Sequence, residues 1–188
     1  GLNLAAHLYN TSIKANNGEI QAVLNVKGID EARRPGIVED YERGASSDIQ
    51  PLPWQTCSCI GEWHYNRRMF ECHRYKTVAQ VVHSLLNIIS KNGNLLLSIP
   101  MRGDGTIDED EVAFLEGMAQ WMDVNSEGVF GTRPWKIFGE GPTQSRGGMF
   151  SEGRTQYTAQ DIRFTTKNDT LYAFMLGWPN ERRAVIRS

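Results

Sequence analysis

Residues 77–99, with the sequence TVAQVVHSLLNIISKNGNLLLSI, decide the fold class of this chain. Within Thr77–Lys91, apolar side chains recur every three or four residues, which predicts an amphipathic helix. The Asn92-Gly93 pair supplies a stop at its carboxyl end. Asn94–Ile99 is almost continuously apolar, as expected for a parallel strand that is covered on both faces. Helix, tight turn and buried strand together predict an α/β fold.

The same alternation of helix and strand continues on both sides of this stretch. The spacing of apolar residues predicts a helix over residues 2–15 and a short buried strand over residues 22–27. Asp108, with Glu111 in the capping-box position, predicts the start of a further helix that runs to about Asn125. In α/β proteins the loops after the carboxyl ends of strands carry the chemistry, so we expect the functional site there.

The composition changes after about residue 139, where Gly, Ser and Thr replace the large aliphatic residues. Residues 161–166 and 171–177 then predict a β-hairpin. We therefore divide the chain into residues 1–138, an α/β part, and residues 139–188, the start of an all-β domain. An isolated hairpin is marginally stable, and the chain begins without Met, so both ends are interpreted as truncated.

The overall composition excludes several classes of protein. The 188 residues carry 20 basic and 22 acidic side chains, for a formal net charge of −2. Proteins that bind nucleic acids non-specifically have a strong basic excess, so no nucleic-acid partner is expected. The apolar runs are shorter than the roughly 20 residues that span a bilayer, so no membrane segment is expected.

The three cysteines do not indicate a metal or redox site. Cys57 and Cys59 form a C-x-C pair, which on a strand would point both side chains to one face and disfavour a mutual disulfide. Structural zinc sites take two closely spaced ligand pairs, and Cys72 does not complete such a set. All three are predicted to be small buried thiols in or beside strands.

An acidic group stands out in the stretch between residues 37 and 61, which is predicted to be mostly loop. Glu39, Asp40 and Glu42 precede two tryptophans, Trp54 and Trp63. A carboxylic acid that donates a proton near neutral pH needs a raised pKa, and an apolar wall can supply that. Aromatic faces also stack on sugar rings, so this mixture suggests carbohydrate chemistry. The alternative from composition alone is an ordinary acidic surface loop.

Four segments carry a resemblance to a known family: IQPLPWQTCSCIGEWHY at 49–65, IISKNGNLLLSI at 88–99, GDGTI at 103–107 and WMDVNSEGVFGTRPW at 121–135. In order and spacing they resemble the α-L-fucosidases of glycoside hydrolase family 29, over about residues 1–142. The Pro-Trp-Gln-Thr run resembles the bacterial and plant-type branch. Other members carry Lys-Trp-Glu there, so Gln55 excludes an acid role at that position.

The resemblance implies the C-terminal portion of a (β/α)8-like (TIM) barrel followed by the beginning of an all-β sandwich. It also implies a retaining exo-glycosidase that releases terminal α-L-fucose by double displacement, with two carboxyl groups about 5–5.5 Å apart. The family nucleophile is an Asp in a Trp-x-Asp motif, which this chain lacks. We therefore expect the nucleophile outside this chain and no activity from these residues alone.

The partner implied is a fucosylated oligosaccharide or glycoconjugate, and neither a cofactor nor a metal is expected. The family suggests a periplasmic, secreted or lysosomal location. Glu42, in Tyr41-Glu42-Arg43-Gly44, is the first choice for the acid/base, and Glu39 is the second. Trp63 matches an aromatic that touches fucose, and Lys27 lies near the family's substrate-binding arginine. The predicted substrate-binding residues are Trp54, Trp63, Lys27 and His64.

Two other functions stay open at this point. A relative without the acid pair would bind carbohydrate through the aromatic loop and catalyse nothing, and the absence of Trp-x-Asp from the complete gene would favour it. A structural α/β module with no sugar site is the second alternative. Fucose titration against tryptophan fluorescence would separate that module from the other two.

Overall fold

The computed structural model describes residues 1–153, 155–180 and 182–188, which form two β-sheets and the helices around them. One sheet is parallel, with four strands in sequence order, and the other is antiparallel, with three. The parallel strands are β1 (Asn25–Val26), β2 (Val38–Glu42), β3 (Trp54–Cys59) and β4 (Gly93–Ser98). The antiparallel strands are β5 (Arg133–Glu140), β6 (Ile162–Lys167) and β7 (Thr170–Met175).

The helices agree with the periodicity and the caps. They are α1 (Leu2–Ala15), α2 (Arg67–Glu71), α3 (Val78–Ile89) and α4 (Glu109–Asn125), with 3-10 turns at Glu31–Gly36 and Ser126–Gly128. Both α3 and α4 begin with a reciprocal capping box, Thr77 with Gln80 and Asp108 with Glu111. The predicted helices at 2–15, at 77–91 and after Asp108 are therefore confirmed, as is the strand that follows α3.

Two strand predictions need correction. The first strand, predicted over residues 22–27, pairs only through Asn25 and Val26. The acidic residues between 38 and 42, predicted to lie in a loop, form β2, which is paired on both sides by β1 and β3. Pairing with two neighbours satisfies the backbone of β2, and this outweighs the low strand preference of its acidic side chains.

The antiparallel sheet contains the predicted hairpin as β6 and β7 and gains a third strand, β5. Because β5 runs from Arg133 to Glu140, it crosses the predicted boundary between residues 138 and 139. The antiparallel unit therefore begins before the change in composition that suggested the division.

Helix α3 packs against both sheets. Val81 contacts Ile60 and Phe114 in one buried cluster, to which side chains of β4 also pack. On another part of the helix, Val82 and Leu86 contact Leu176, which follows β7. Full burial of such side chains stabilises a fold by about 1.5–3 kcal/mol each. The two sheets thus share the apolar surface of one helix.

The connection from β2 to β3, residues 43–53, contains no helix, although parallel strands are usually joined through one. Residues 145–153, from the β5–β6 connection, lie along it and are called here the clamp segment. The amide of Gly148 donates to the carbonyl of Ala45 at 2.8 Å, and the amide of Glu152 donates to that of Arg43 at 2.9 Å. Strands β2 and β3 are therefore covered partly by chain from beyond β5.

A buried lysine, Lys91, joins the start of the clamp segment to the connection between β2 and β3. Lys91 has no exposed surface, and its Nζ donates to Ser46 O and Ser145 Oγ, both at 3.1 Å. The ammonium also lies 4.5 Å from the centre of the Phe138 ring. Burial, with the nearby Arg163 guanidinium as a second cause, lowers the pKa of Lys91 from 10.5 to about 7.

No disulfide joins the three cysteines, which all lie within the described ranges, and two of them lie where they were predicted. Cys57 and Cys59 are buried on β3 with one residue between them, so they share a face of the sheet. Cys72 is exposed just after α2, which corrects the expectation that it is buried. None of the helices in the described part of the chain combines the length and apolar character needed to cross a bilayer.

Candidate active site

The register of the parallel sheet sorts the acidic residues of β2 between its two faces. Asp40 pairs with Gln55 and Glu42 pairs with Cys57, so these four side chains share one face, called here the Glu42 face. Glu39 belongs to the opposite face because side chains alternate along a strand. Glu42 is also the last residue of β2, at the carboxyl edge, where parallel α/β sheets carry their sites.

Glu42 is held by Lys27, which follows β1. The Lys27 ammonium donates to Glu42 Oε2 at 2.7 Å, and the Glu42 side chain is 23% exposed. Lys27 lowers the pKa of Glu42 below its usual range, mainly through this hydrogen bond, and the Trp63 indole lowers it further. Glu42 in turn raises the pKa of Lys27. An apolar wall that raises the pKa of this carboxyl, as the sequence suggested, is not what the structure shows.

This ion pair defines what the site can do chemically. As a carboxylate, Glu42 can accept a proton and can accept hydrogen bonds from hydroxyl groups. Proton donation requires that Lys27 first turn to another partner, so that the Glu42 pKa can rise. The arrangement therefore supports a base or a hydroxyl acceptor directly, and an acid only after Lys27 is engaged elsewhere.

Asp40 lies behind Glu42 on the same face and is fully engaged. It is buried and accepts hydrogen bonds from the Cys57 amide at 3.1 Å and from Gln55 Nε2 at 3.0 Å. Both carboxylate oxygens thus tie β2 to β3 beneath the carboxyl edge. Gln55 serves as a donor here, consistent with its exclusion as an acid.

Glu39, the second choice for the acid/base, is in the wrong place for that role. It points away from the Glu42 face and forms an ion pair with Arg34 at 2.8 Å. Its side chain is only 14% exposed. The contact fixes the turn at Glu31–Gly36 against β2, which is a structural role.

The predicted aromatic and histidine contacts separate into two groups. Trp54 opens β3 at the opposite edge of the sheet and has no exposed surface, and its Nε1 donates to Lys91 O at 2.9 Å. This corrects the prediction that Trp54 binds substrate, since it has no surface with which to do so. Trp63 and His64, in the loop after β3, are exposed, and the Trp63 indole is one of the groups that lower the Glu42 pKa.

The sequence did not indicate that the clamp segment reaches the carboxyl end of β2. The amide of Phe150 donates to the backbone carbonyl of Glu42 at 2.8 Å. Glu152 contacts Arg43 and Lys76, and it accepts a hydrogen bond from Ser58 Oγ at 2.7 Å. Ser58 alternates with Cys57 and Cys59 along β3, so these contacts lie on the face of the sheet opposite Glu42. The sequence places this Gly- and Ser-rich stretch in the second, all-β part of the chain, which was predicted to start at residue 139, and only its three-dimensional position shows the contact.

No group of three or more His, Cys, Asp or Glu side chains is arranged to hold a metal ion within residues 1–153, 155–180 and 182–188. What these residues do place together is a carboxylate, a lysine and an exposed tryptophan at the carboxyl edge of a parallel sheet. Such a site is typical of α/β enzymes, whose functional groups follow the carboxyl ends of parallel strands.

Comparison with known proteins identifies the family. The family model described as Alpha-L-fucosidase matches residues 3–127, and the chain belongs to this family. It is similar to an α-L-fucosidase from Branchiostoma floridae, at 29% identity over 134 residues, which cover 70% of this chain and 26% of the relative. The plasma α-L-fucosidase of Homo sapiens is also 29% identical, over 148 residues, which cover 77% of this chain and 28% of the relative. The chain thus spans about a quarter of the length of these curated relatives.

Solved structures agree with this assignment. One α-L-fucosidase superposes with a TM-score of 0.71 at 24% identity, over 93% of this chain and 35% of that chain. The Thermotoga maritima α-fucosidase gives a TM-score of 0.59 at 26% identity, over 79% of this chain and 34% of that chain. The same Thermotoga enzyme has been solved in complex with fucose. The similarity at 24% identity supports the fold, and the family model supports the family.

Proposed function

We propose that these residues form the acid/base side of the active site of a retaining exo-α-L-fucosidase, with Glu42 as the acid/base. The observation that carries the proposal is the position of Glu42 at the carboxyl edge of the parallel sheet, between Lys27 and the exposed Trp63. The substrate would be a fucosylated oligosaccharide or glycoconjugate. The nucleophile would come from a part of the enzyme outside these 188 residues.

The proposed reaction has two displacements. In the first, the nucleophile carboxylate attacks the anomeric carbon, the bond to the aglycone oxygen breaks, and that oxygen takes the bonding electrons together with the proton of Glu42. In the second, Glu42 as a carboxylate takes a proton from water. The water oxygen attacks the anomeric carbon and displaces the enzyme carboxylate, and fucose leaves with its configuration retained.

Lys27 would control which of these roles Glu42 can take. In the structure its ammonium lies on Glu42 and favours the carboxylate, the form that the second displacement needs. A fucose hydroxyl or the nucleophile carboxylate would draw the ammonium away when substrate binds. Loss of that contact raises the Glu42 pKa and allows the acid form. Trp63 and His64, both exposed beside the edge, would contact the sugar.

The proposal extends to the fold of the complete protein. The four parallel strands would be a portion of a (β/α)8-like barrel, and the antiparallel strands would belong to a β-sandwich domain. In a closed barrel the Glu42 face would be directed to the interior, and its carboxyl edge would surround the substrate.

The test uses the complete enzyme that contains these residues and an aryl α-L-fucoside. Glu42→Ala is expected to lower kcat by about 10²–10⁴-fold, the usual contribution of a positioned acid/base. Added azide should restore turnover and yield α-fucosyl azide, because a small anion can replace water without base assistance. Glu39→Ala is the matched control from the opposite face and should retain at least half of the activity.

Two results would contradict this proposal in different ways. Absence of fucoside turnover by the complete enzyme would refute the activity. Full activity of Glu42→Ala, together with loss in Glu39→Ala, would refute the assignment of the residue.

A second function, carbohydrate binding without catalysis, is favoured by one observation. The opposite charges of Lys27 and Glu42 balance each other in the ion pair, which can donate to and accept from sugar hydroxyls without any proton transfer. Saturable fucose binding by a complete protein that does not hydrolyse fucosyl fluoride would select this alternative.

A further inference from the structure

We infer that Phe150 of the clamp segment contacts the aglycone, the sugar to which fucose is attached, and so determines leaving-group preference. The inference rests on the proposed function, because it takes Glu42 as the acid/base. It assigns a part of the substrate site to a connection between two strands of the antiparallel sheet, outside the stretch that matches the family model.

The first support is the position of Phe150. Its amide donates to the carbonyl of Glu42 itself at 2.8 Å, so the two residues lie side by side at the carboxyl edge. A general acid must reach the oxygen of the leaving group, which joins fucose to the aglycone. A residue whose backbone is bonded to that of the acid is therefore well placed for its side chain to reach the aglycone.

The second support is exposure. Phe150 is 57% exposed, and its neighbour Met149 is 37% exposed. Both are large apolar side chains open to solvent, and the backbone of Phe150 is bonded to that of Glu42 at an edge that otherwise carries polar groups such as Glu42 and Lys27. An aromatic face next to hydrogen-bonding groups is suited to a pyranose, whose ring has one apolar face and a rim of hydroxyls.

The third support is the backbone at Phe150. Its φ is +56°, in the left-handed region that bulky residues seldom occupy. Such conformations cost of the order of 1–3 kcal/mol and persist where the surroundings impose them, often at functional sites. On either side of Phe150, Gly148 pairs with Ala45 and Glu152 pairs with Arg43 through backbone hydrogen bonds. These bonds hold Phe150 in its left-handed conformation.

The fourth support is a rigid foundation. The Glu152 carboxylate contacts the Lys76 ammonium and Arg43, and it accepts a hydrogen bond from Ser58 Oγ. Lys76 also donates to the carbonyl of Cys59 at 2.6 Å. The backbone of Phe150 is thus held two residues from a network that is fixed to the end of β3, on the face of the sheet opposite Glu42.

The experiment compares two substrates of the complete enzyme: a fucosyl disaccharide and α-L-fucosyl fluoride, which has no aglycone ring. Phe150→Ala is expected to lower kcat/KM for the disaccharide about tenfold, equivalent to about 1.4 kcal/mol, and to change that for the fluoride by less than about twofold. An aromatic contact of ordinary strength accounts for a loss of this size.

Two variants separate the contact from the local backbone. Phe150→Asn tolerates the left-handed conformation and should lose the disaccharide preference as Phe150→Ala does. Phe150→Trp keeps an aromatic face and should retain it. Phe130→Ala is the matched control, since Phe130 is similarly exposed, at 62% against 57% for Phe150, and lies in the turn before β5.

The outcomes distinguish the role of Phe150 from the proposed fucosidase function. Equal losses on both substrates, or no loss on either, would overturn the role of Phe150 while the fucosidase activity stands. A wild-type enzyme that hydrolyses neither substrate would overturn the proposed function, and the role of Phe150 with it. A disaccharide-specific loss in both Phe150→Ala and Phe150→Asn, absent from Phe130→Ala, is the result expected.

Discussion

Replacement of Lys91 by methionine is expected to change how the stability of this protein depends on pH. Lys91 is completely buried, and no carboxylate is among the groups that its Nζ contacts within the described ranges. Burial lowers its pKa from 10.5 to about 7 in the folded protein. Between those two values the unfolded chain holds a proton that the folded protein lacks.

The sign and size follow from proton linkage. Below about pH 7 both states are protonated, and the buried charge opposes folding fully. As the pH rises from about 7 toward 10.5, stability increases by up to about 1.4 kcal/mol per pH unit. From pH 6 to pH 9 the wild-type protein should therefore gain about 3 kcal/mol relative to Lys91→Met. Methionine also leaves Ser46 O without its donor, which costs about 1–3 kcal/mol, but that cost is present at every pH and cancels from the difference.

Urea unfolding followed by tryptophan fluorescence at pH 6 and pH 9 measures this difference directly. Lys14→Met, at an exposed position of α1, is the matched control and should show the wild-type dependence. A difference between wild type and Lys91→Met that is the same at both pH values, within about 0.5 kcal/mol, would refute the reasoning. It would mean that Lys91 stays charged in the folded state, held by Ser46, Ser145 and the Phe138 ring.

Three further predictions concern single side chains. Lys27→Met should move the alkaline limb of kcat/KM for the proposed fucoside hydrolysis to higher pH in the complete protein, because the contact that lowers the Glu42 pKa is lost; an unmoved limb would argue against Glu42 as the acid. Trp54→Ala should cost about 3–5 kcal/mol of unfolding free energy, whereas Trp178→Ala, at a 77% exposed position, should cost less than about 0.5 kcal/mol; similar urea midpoints for the two variants would be inconsistent with Trp54 as a core residue. Asp108→Ala removes the cap of α4 and the acceptor of Tyr75, and a loss of about 1–2 kcal/mol is expected; Asp123→Ala in the exposed last turn is the control, and an equal loss there would count against the capping role.

The parts of the fold that could be predicted are those with local causes. Helices α3 and α4 follow from apolar spacing, and each begins where Thr77 or Asp108 can cap it. Strand β4 follows from a continuous apolar run. Each of these signals lies within a few residues of the structure it specifies, so one sequence is sufficient to find it.

Strand β2 shows why other parts could not be predicted. Its acidic residues have no strand preference, and pairing with β1 and β3 decides their conformation. The same pairing separates Glu39 from Glu42 by face: Glu39 pairs with Arg34, and Glu42, the proposed acid/base, pairs with Lys27 at the carboxyl edge. Alternation along the strand would have indicated this, had residues 38–42 been identified as a strand.

The predictions for Trp54 and for the clamp segment were wrong because the contacts that decide their positions join residues far apart in the sequence. Trp54 is conspicuous in sequence beside Pro53, but its burial depends on Gly93, where an added Cβ would lie 2.5 Å from the indole ring. Ser58 and Glu152 are separated by 94 residues. Neither relation leaves a local pattern, so the sequence predicted a binding role for Trp54 and placed the clamp segment in a separate all-β domain from residue 139 onward.

The clamp segment also has a consequence for the order of events on the ribosome. Ser58 is synthesised 94 residues before its partner Glu152, which at about 5–20 residues per second is a delay of roughly 5–20 seconds. During that time β2 and β3 have emerged, but the segment that covers their connection has not. The nascent chain therefore carries an incompletely covered sheet until the antiparallel strands are made, and a chaperone that shields this surface would act in that interval.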